Sequence, residues 1–288
     1  MILPWLFGLV TGWRSPAFAG YGPVMERDGV RRRRLVAGMV GLSLAPRAAW
    51  GASLSVRQVV ARLRGPSPAN FEGADLSRLD LADLDLGGAR LAGATLFGAD
   101  LTGARFAGAD LRGANLDRTI IIRTDFSNAT MTGVTMMLPA ASTVLDNNPA
   151  HEAPIFRGAD LSFAHVLAKL GHADWTGARL TDAHFELGRL QFLAALRSDL
   201  AGGVMAGADL AGANLTSVRL AFADLRGANL RGANLEGADL AGVRLDGADL
   251  RGARLARCDL SRAALRGAIG LDAAVGLAEA FNLDLADH

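Results

Sequence analysis

Ala99-Asp100-Leu101-Thr102-Gly103-Ala104-Arg105-Phe106-Ala107-Gly108-Ala109-Asp110-Leu111-Arg112-Gly113-Ala114-Asn115-Leu116 returns to the same pattern every five residues. A small residue comes first, a polar one second and a large apolar one third. Taking the third position as the centre, in-frame units fill 69–138, 154–168 and 173–267, thirty-six in all. Twenty-four centres are Leu and five are Phe; the others are Met131, Met136, Met205, Ile121, Val166, Trp175 and Ala195, so none is polar. Ala stands two before the centre in twenty-three units and Gly two after it in twenty.

A period of five fits neither the 3.6 of an α-helix nor the 2 of a flat strand. It fits a chain that turns a corner every five residues. Ala and Leu, two apart on extended backbone, point the same way, inward. The Asp or Asn between them points out. Gly falls at the corner, where positive φ carries no Cβ penalty. The centres then form an axial core, with Leu76, Leu101, Leu111, Leu210, Leu230, Leu240 and Leu250 among its members.

These units resemble the Ala-(Asp/Asn)-Leu-x-x pattern of the pentapeptide-repeat family. The resemblance covers about 180 of the 288 residues. It implies an all-β fold, a right-handed quadrilateral β-helix with four units per coil, to which the residues at either end are expected to add short helical caps. Thirty-six units make about nine such coils.

Composition sets the outer bounds. Of 288 residues, 50% are hydrophobic and 20% charged, which suits a packed core and not a disordered chain. No apolar run is long enough for a membrane-spanning helix, so none is expected. One cysteine, Cys258, excludes an internal disulfide framework, and its inward position predicts a buried, inert thiol. The net charge of +1 conceals an asymmetry. Residues 1–68 carry ten basic and two acidic side chains, whereas 69–288 carry twenty and twenty-seven. That balance argues against direct nucleic-acid binding.

Residues 1–52 read as an export signal or an N-terminal extension. Arg31–Arg34 precede the apolar stretch Leu35–Ala45, and small residues follow at Ala49, Gly51 and Ala52. Arg32-Arg33 has a twin-arginine character. Met25 lies at the usual distance from such a signal and is a candidate start. The expected location is periplasmic or secreted, with the cytoplasm as the alternative.

Solenoid ends need covers. Residues 53–68 are expected to cap one end and then link to the repeats: Val56, Val59, Val60 and Leu63 share one face of a short helix, which Gly65-Pro66-Ser67-Pro68 ends. At the other end, 268–288, the Ala- and Leu-rich Leu271–Leu283 is expected as a capping helix, with a dimer contact as its other use. Within the repeats, Pro139–Ala153 abandons the pattern over fifteen residues and predicts a projecting loop. Lys169-Leu170-Gly171-His172 shifts the frame and predicts a bulge.

Residues arranged for chemistry are few. The histidines are His151, His165, His172, His184 and His288; no pair has ligand spacing with a third ligand nearby, so no metal is expected. No nucleophile–base arrangement or phosphate loop occurs, so no catalytic residue and no cofactor are expected. The recurring Asp residues are polar outward positions of the repeat. Function is therefore expected to be non-catalytic, that of a binding or structural solenoid: non-covalent binding of a protein partner, with loop residues Asp146, Asn147, Asn148, His151 and Glu152 as contacts, or a spacer role for the rod. The resemblance implies one alternative, since some members are acidic mimics of DNA that bind DNA gyrase in the cytoplasm and protect it from quinolones. Stacking positions twenty apart gives the ladders Arg179, Asp199, Arg219, Asp239, Asp259; Arg189, Asp209, Asn229, Asp249; and Asp85, Arg105, Asp125. Their signs alternate in part, unlike a phosphate stripe.

Overall fold

The computed structural model describes residues 53–143, 149–186 and 197–287. Over these the chain winds as a four-sided solenoid. Each outward residue forms a parallel bridge to its counterpart one coil on, as in Asn70 to Arg90 to Asp110, so that four units complete a coil. The ladder on side 1 runs from Asn70 to Ile269 through ten rungs. Sides 2, 3 and 4 start at Asp75, Asp80 and Asp85. Backbone amides and carbonyls pair from coil to coil, as in Leu76 N–H to Thr95 O at 2.8 Å, so the polar backbone is satisfied without long strands. Two strands, β1 (Thr135–Met137) and β2 (His165–Leu167), pair in parallel.

The core is the stack of centres. Leu76, Leu101, Leu111, Leu210, Leu230, Leu240 and Leu250 are fully buried. On side 4 aromatic rings replace Leu over four coils: Phe106, Phe126, Phe156 and Trp175 stack at centroid spacings of 5.3, 5.2 and 4.1 Å.

Corners follow one rule. In the regular units the residue two after the centre takes positive φ, whether Gly103 at +67° or a side-chain-bearing residue such as Phe222 at +60°. Where a corner bears a side chain, that side chain often lies over a glycine one coil on. A Cβ on Gly242 would sit 2.6 Å from the Phe222 ring, and one on Gly202 at 2.6 Å from His172. Glycine is thus required there both by φ and by the neighbour.

Asp and Asn recur for a reason beyond exposure. Each accepts, through Oδ1, the backbone N–H two residues on, as in Asp100 from Thr102 at 2.9 Å and Asn115 from Asp117 at 2.8 Å. This side-chain turn fixes the bend after the centre.

The interruptions differ from the sequence expectation. Ala140 pairs with Ile120 and Ala141 is buried, so Pro139–Ala141 belong to side 3 of the fourth coil and not to a loop. Glu152 O then accepts from Arg123 N–H at 2.8 Å, the place Ser142 would hold in an unbroken repeat. The insertion is therefore the ten residues 142–151. Nor do Lys169–His172 bulge: Ala168-Lys169-Leu170-Gly171-His172 is a full unit with Leu170 buried at its centre. The frame shifts because the preceding side, Ala164–Leu167, has four residues. There β2 replaces the corner, and His165 bridges His184 one position short of the usual spacing.

A second insertion was not expected. Asp174, Arg179 and His184 pair with Val204, Asp209 and Asn214, each six units on instead of four. Ten residues beyond a coil's worth thus lie between Glu186 and Arg197. Arg189 lies outside the described residues, and Arg179 pairs with Asp209 instead of Asp199. Fully buried Ser198 closes the break. Its hydroxyl contacts the carbonyls of Phe185 at 2.9 Å and Val166 at 3.2 Å, and accepts from Ala168 N–H at 3.3 Å. Leaving such groups unpaired costs about 1–3 kcal/mol each.

At the N-terminal end α1 (Val56–Leu63) covers the first coil, with Val59 fully buried. A capping box holds its start: Ser55 Oγ accepts from Gln58 N–H and Gln58 Oε1 from Ser55 N–H. The other end has no capping helix over Leu271–Leu283. Gly276 and Asn282 take positive φ, which interrupts a helix there, and two short 3-10 turns form at Leu277–Glu279 and Leu283–Leu285. Rungs Ile269, Val275, Phe281 and Asp287 follow at intervals of six, so this segment is a tenth coil with longer sides. Its Leu271, Leu277 and Leu283 are partly buried against the core.

Candidate interaction surface

The two insertions leave from opposite edges of side 3, two coils apart. The first departs near the side 3–side 4 corner of coil four, the second at the side 2–side 3 corner of coil six. Between and beyond them side 3 is flat, because its second outward row is small: Gly171, Ala201, Ala221 and Ala241. The first row carries Lys169, Asp199, Arg219, Asp239 and Asp259. Arg219 pairs with Asp199 at 3.0 Å and reaches Asp239 at 3.8 Å. Phe222 closes the far edge at the next corner, 70% exposed although it is apolar. Sequence reasoning missed Phe222, yet it left a signal: an aromatic where the corner pattern places Gly.

Of the five loop residues expected as contacts, Asp146, Asn147 and Asn148 lie outside the described residues. His151 is exposed. Glu152 acts at the base of the insertion. Its carboxylate accepts Ser142 Oγ–H at 2.9 Å, Thr143 N–H at 2.7 Å and Thr143 Oγ1–H at 2.7 Å. The Thr143 amide leads in holding it below the usual carboxylate range. Glu152 closes the loop and is not free to meet a partner.

Many of the other acids are also engaged. In the Asp-Leu-Arg triplets 110–112, 224–226 and 249–251, each guanidinium grips the carboxylate two residues back with two hydrogen bonds of 2.5–2.8 Å. These bonds hold Asp110, Asp224 and Asp249 below the usual range. Glu236 pairs with Arg257 and Arg254. Asp117 is the exception: burial pushes it up, against the Met137 amide that it accepts at 2.9 Å. Burial also pushes the Cys258 thiol up to about 12, which leaves it protonated and unreactive at neutral pH. Among the described residues no group of three potential metal ligands converges, and no helix is long and apolar enough to cross a membrane.

Residues 69–112, 99–136, 197–232 and 233–269 match the family described as pentapeptide repeats, in eight copies. The chain belongs to the pentapeptide-repeat family. The matched segments of this pentapeptide-repeat protein stop short of both insertions. Among solved structures, it is 26% identical to HetL, a pentapeptide-repeat protein involved in heterocyst differentiation regulation from the cyanobacterium Nostoc sp. strain PCC 7120, over 81% of this chain and 94% of that one, with a TM-score of 0.42. It is 19% identical to QnrB1, a plasmid-mediated fluoroquinolone resistance protein, over 70% and 79%, with a TM-score of 0.29. Rfr23 from the cyanobacterium Cyanothece 51142 is 22% identical over 50% and 85%, with a TM-score of 0.25. No curated protein matches the chain.

Proposed function

We propose that this pentapeptide-repeat protein is a non-catalytic scaffold that binds a protein partner on side 3, between the two insertions and up to Phe222. The observation that carries the reading is the convergence on one side of two ten-residue departures from the repeat, a flat small-residue row and an exposed aromatic. A rigid platform loses little conformational entropy on binding, and an exposed aromatic is a natural anchor. The winding is taken as right-handed, the sense that parallel strand connections almost always adopt.

The first insertion supplies the test. Deleting 142–151 joins Ala141 to Glu152, which already holds the ladder position. The shortened chain is expected to fold with an unchanged circular dichroism spectrum and to recover its partner from the native host at least tenfold less well. Equal recovery by both forms would exclude the first insertion from the contact.

We further propose that the protein acts outside the cytoplasm, exported through Arg31–Ala52. The motive is the order of basic, apolar and small segments there. Mass spectrometry of host fractions is expected to find a mature N-terminus near Ala52 outside the cytoplasm. An intact cytoplasmic chain would sink the export reading and favour the gyrase alternative. Against that alternative stands the surface charge: the outward acids alternate with arginines and pair with them along sides 1, 3 and 4, unlike the unbroken charge of a DNA backbone.

A further inference from the structure

His165 and His184 come from successive coils. The four-residue side at Ala164–Leu167 places them on adjacent rungs of side 2. Both are exposed, and their rings stack with centroids 4.9 Å apart and planes 8° from parallel. Neutral imidazole is the commonest metal ligand in proteins, and two rings so placed offer two nitrogens to one ion. The rungs on either side are Thr135 and Asn214. Glu186, two residues past His184 and on the same outward side, accepts from Asn214 Nδ2 at 2.8 Å, which holds its carboxylate alongside the His184–Asn214 step. Asp182, two residues before His184, occupies the preceding corner and lies over Gly212.

We propose that His165 and His184 form a two-imidazole site for a borderline divalent transition ion, copper(II), nickel(II) or zinc(II), with water completing the coordination, since Glu186 is held by Asn214 on the far side of His184 from His165. Metal–imidazole bonds of about 2.0–2.1 Å require the two ligating nitrogens about 3 Å apart. Stacked rings on neighbouring rungs reach that separation by tilting toward each other, with no backbone change. The ladder fixes both backbones at strand spacing, so little order is lost on binding. Imidazole pairs suit these three ions, whereas magnesium and calcium prefer all-oxygen sites.

The test is calorimetric titration of the untagged full chain, stripped of metal, with copper(II), nickel(II) and zinc(II) in turn. At least one ion is expected to bind one per chain. His165→Ala and His184→Ala should each weaken that binding at least tenfold, and His172→Ala not at all. His184→Asn repeats the residue type of the next two rungs, Asn214 and Asn234, and so keeps the side intact while removing the ligand. It should lose the ion with an unchanged circular dichroism spectrum. In copper(II) electron paramagnetic resonance, the wild-type spectrum should carry hyperfine structure from two nitrogens. The proposal is overturned if none of the three ions binds, or if His184→Asn binds as tightly as the wild type.

Discussion

Leu230→Asp is expected to yield no folded protein. Leu230 is fully buried on the axis, with a coil above and a coil below. Its backbone amide donates to Asp249 O at 2.8 Å, which fixes the side chain inward. A carboxylate there has no partner, and burying an unpaired charge costs several kcal/mol or more. In a solenoid that cost is not confined to one site, because each coil is stabilised by its neighbours. The variant should be insoluble or lack the β spectrum of the parent, while Leu230→Met, which conserves volume, should cost about 1 kcal/mol. A soluble Leu230→Asp variant with the parent's spectrum and melting temperature would show that the centres are not the core.

The second large effect is expected at Trp175. Its ring is fully buried, stacks on Phe156 at 4.1 Å and meets the edge of Phe185 at 6.3 Å. It lies in coil five, between the levels at which the insertions leave. Trp175→Ala should open a cavity that the rigid coils cannot collapse and lower unfolding free energy by about 3–5 kcal/mol. Trp175→Phe should be milder, since it continues the stack and removes an Nε1–H that is buried without a hydrogen-bond partner among the described residues. Urea denaturation followed by circular dichroism measures both. A Trp175→Ala midpoint within experimental error of the parent's would mean that the aromatic stack does not hold coils four to six together.

The repeat itself is plain in the sequence because each unit position answers a separate physical demand. Leu fills the axis, Ala gives room beside it, Asp or Asn closes the turn and Gly takes the left-handed corner. What the pattern hides are changes that preserve it. The ten residues between Glu186 and Arg197 equal two units, and Leu190 falls where a centre belongs, so the frame passes through the second insertion undisturbed. Only pairing across coils reveals it. The first insertion was visible through Pro139 and Pro149, but its edges were not, since Pro139 itself stands at an inward position of side 3. The tenth coil escaped because its period is six, and Leu271, Leu277 and Leu283 in Ala-rich sequence resemble a helix until Gly276 and Asn282 adopt positive φ. The candidate surface was half visible: the loop was, but Phe222 and the shared side of the two insertions depend on the corrected register.

That register is therefore the claim on which the interaction surface rests, and nitroxide labels on cysteine pairs measure it directly in a Cys258→Ala background. With a spacing of six units, labels at Arg179 and Asp209 sit on adjacent rungs of side 1, whereas Asp199 lies on side 3, across the coil. Continuous-wave electron paramagnetic resonance of the frozen protein should show strong dipolar broadening for the 179/209 pair and none for 179/199. Broadening of 179/199 instead would restore the unbroken repeat, remove the second insertion and contradict the placement of the binding surface on side 3.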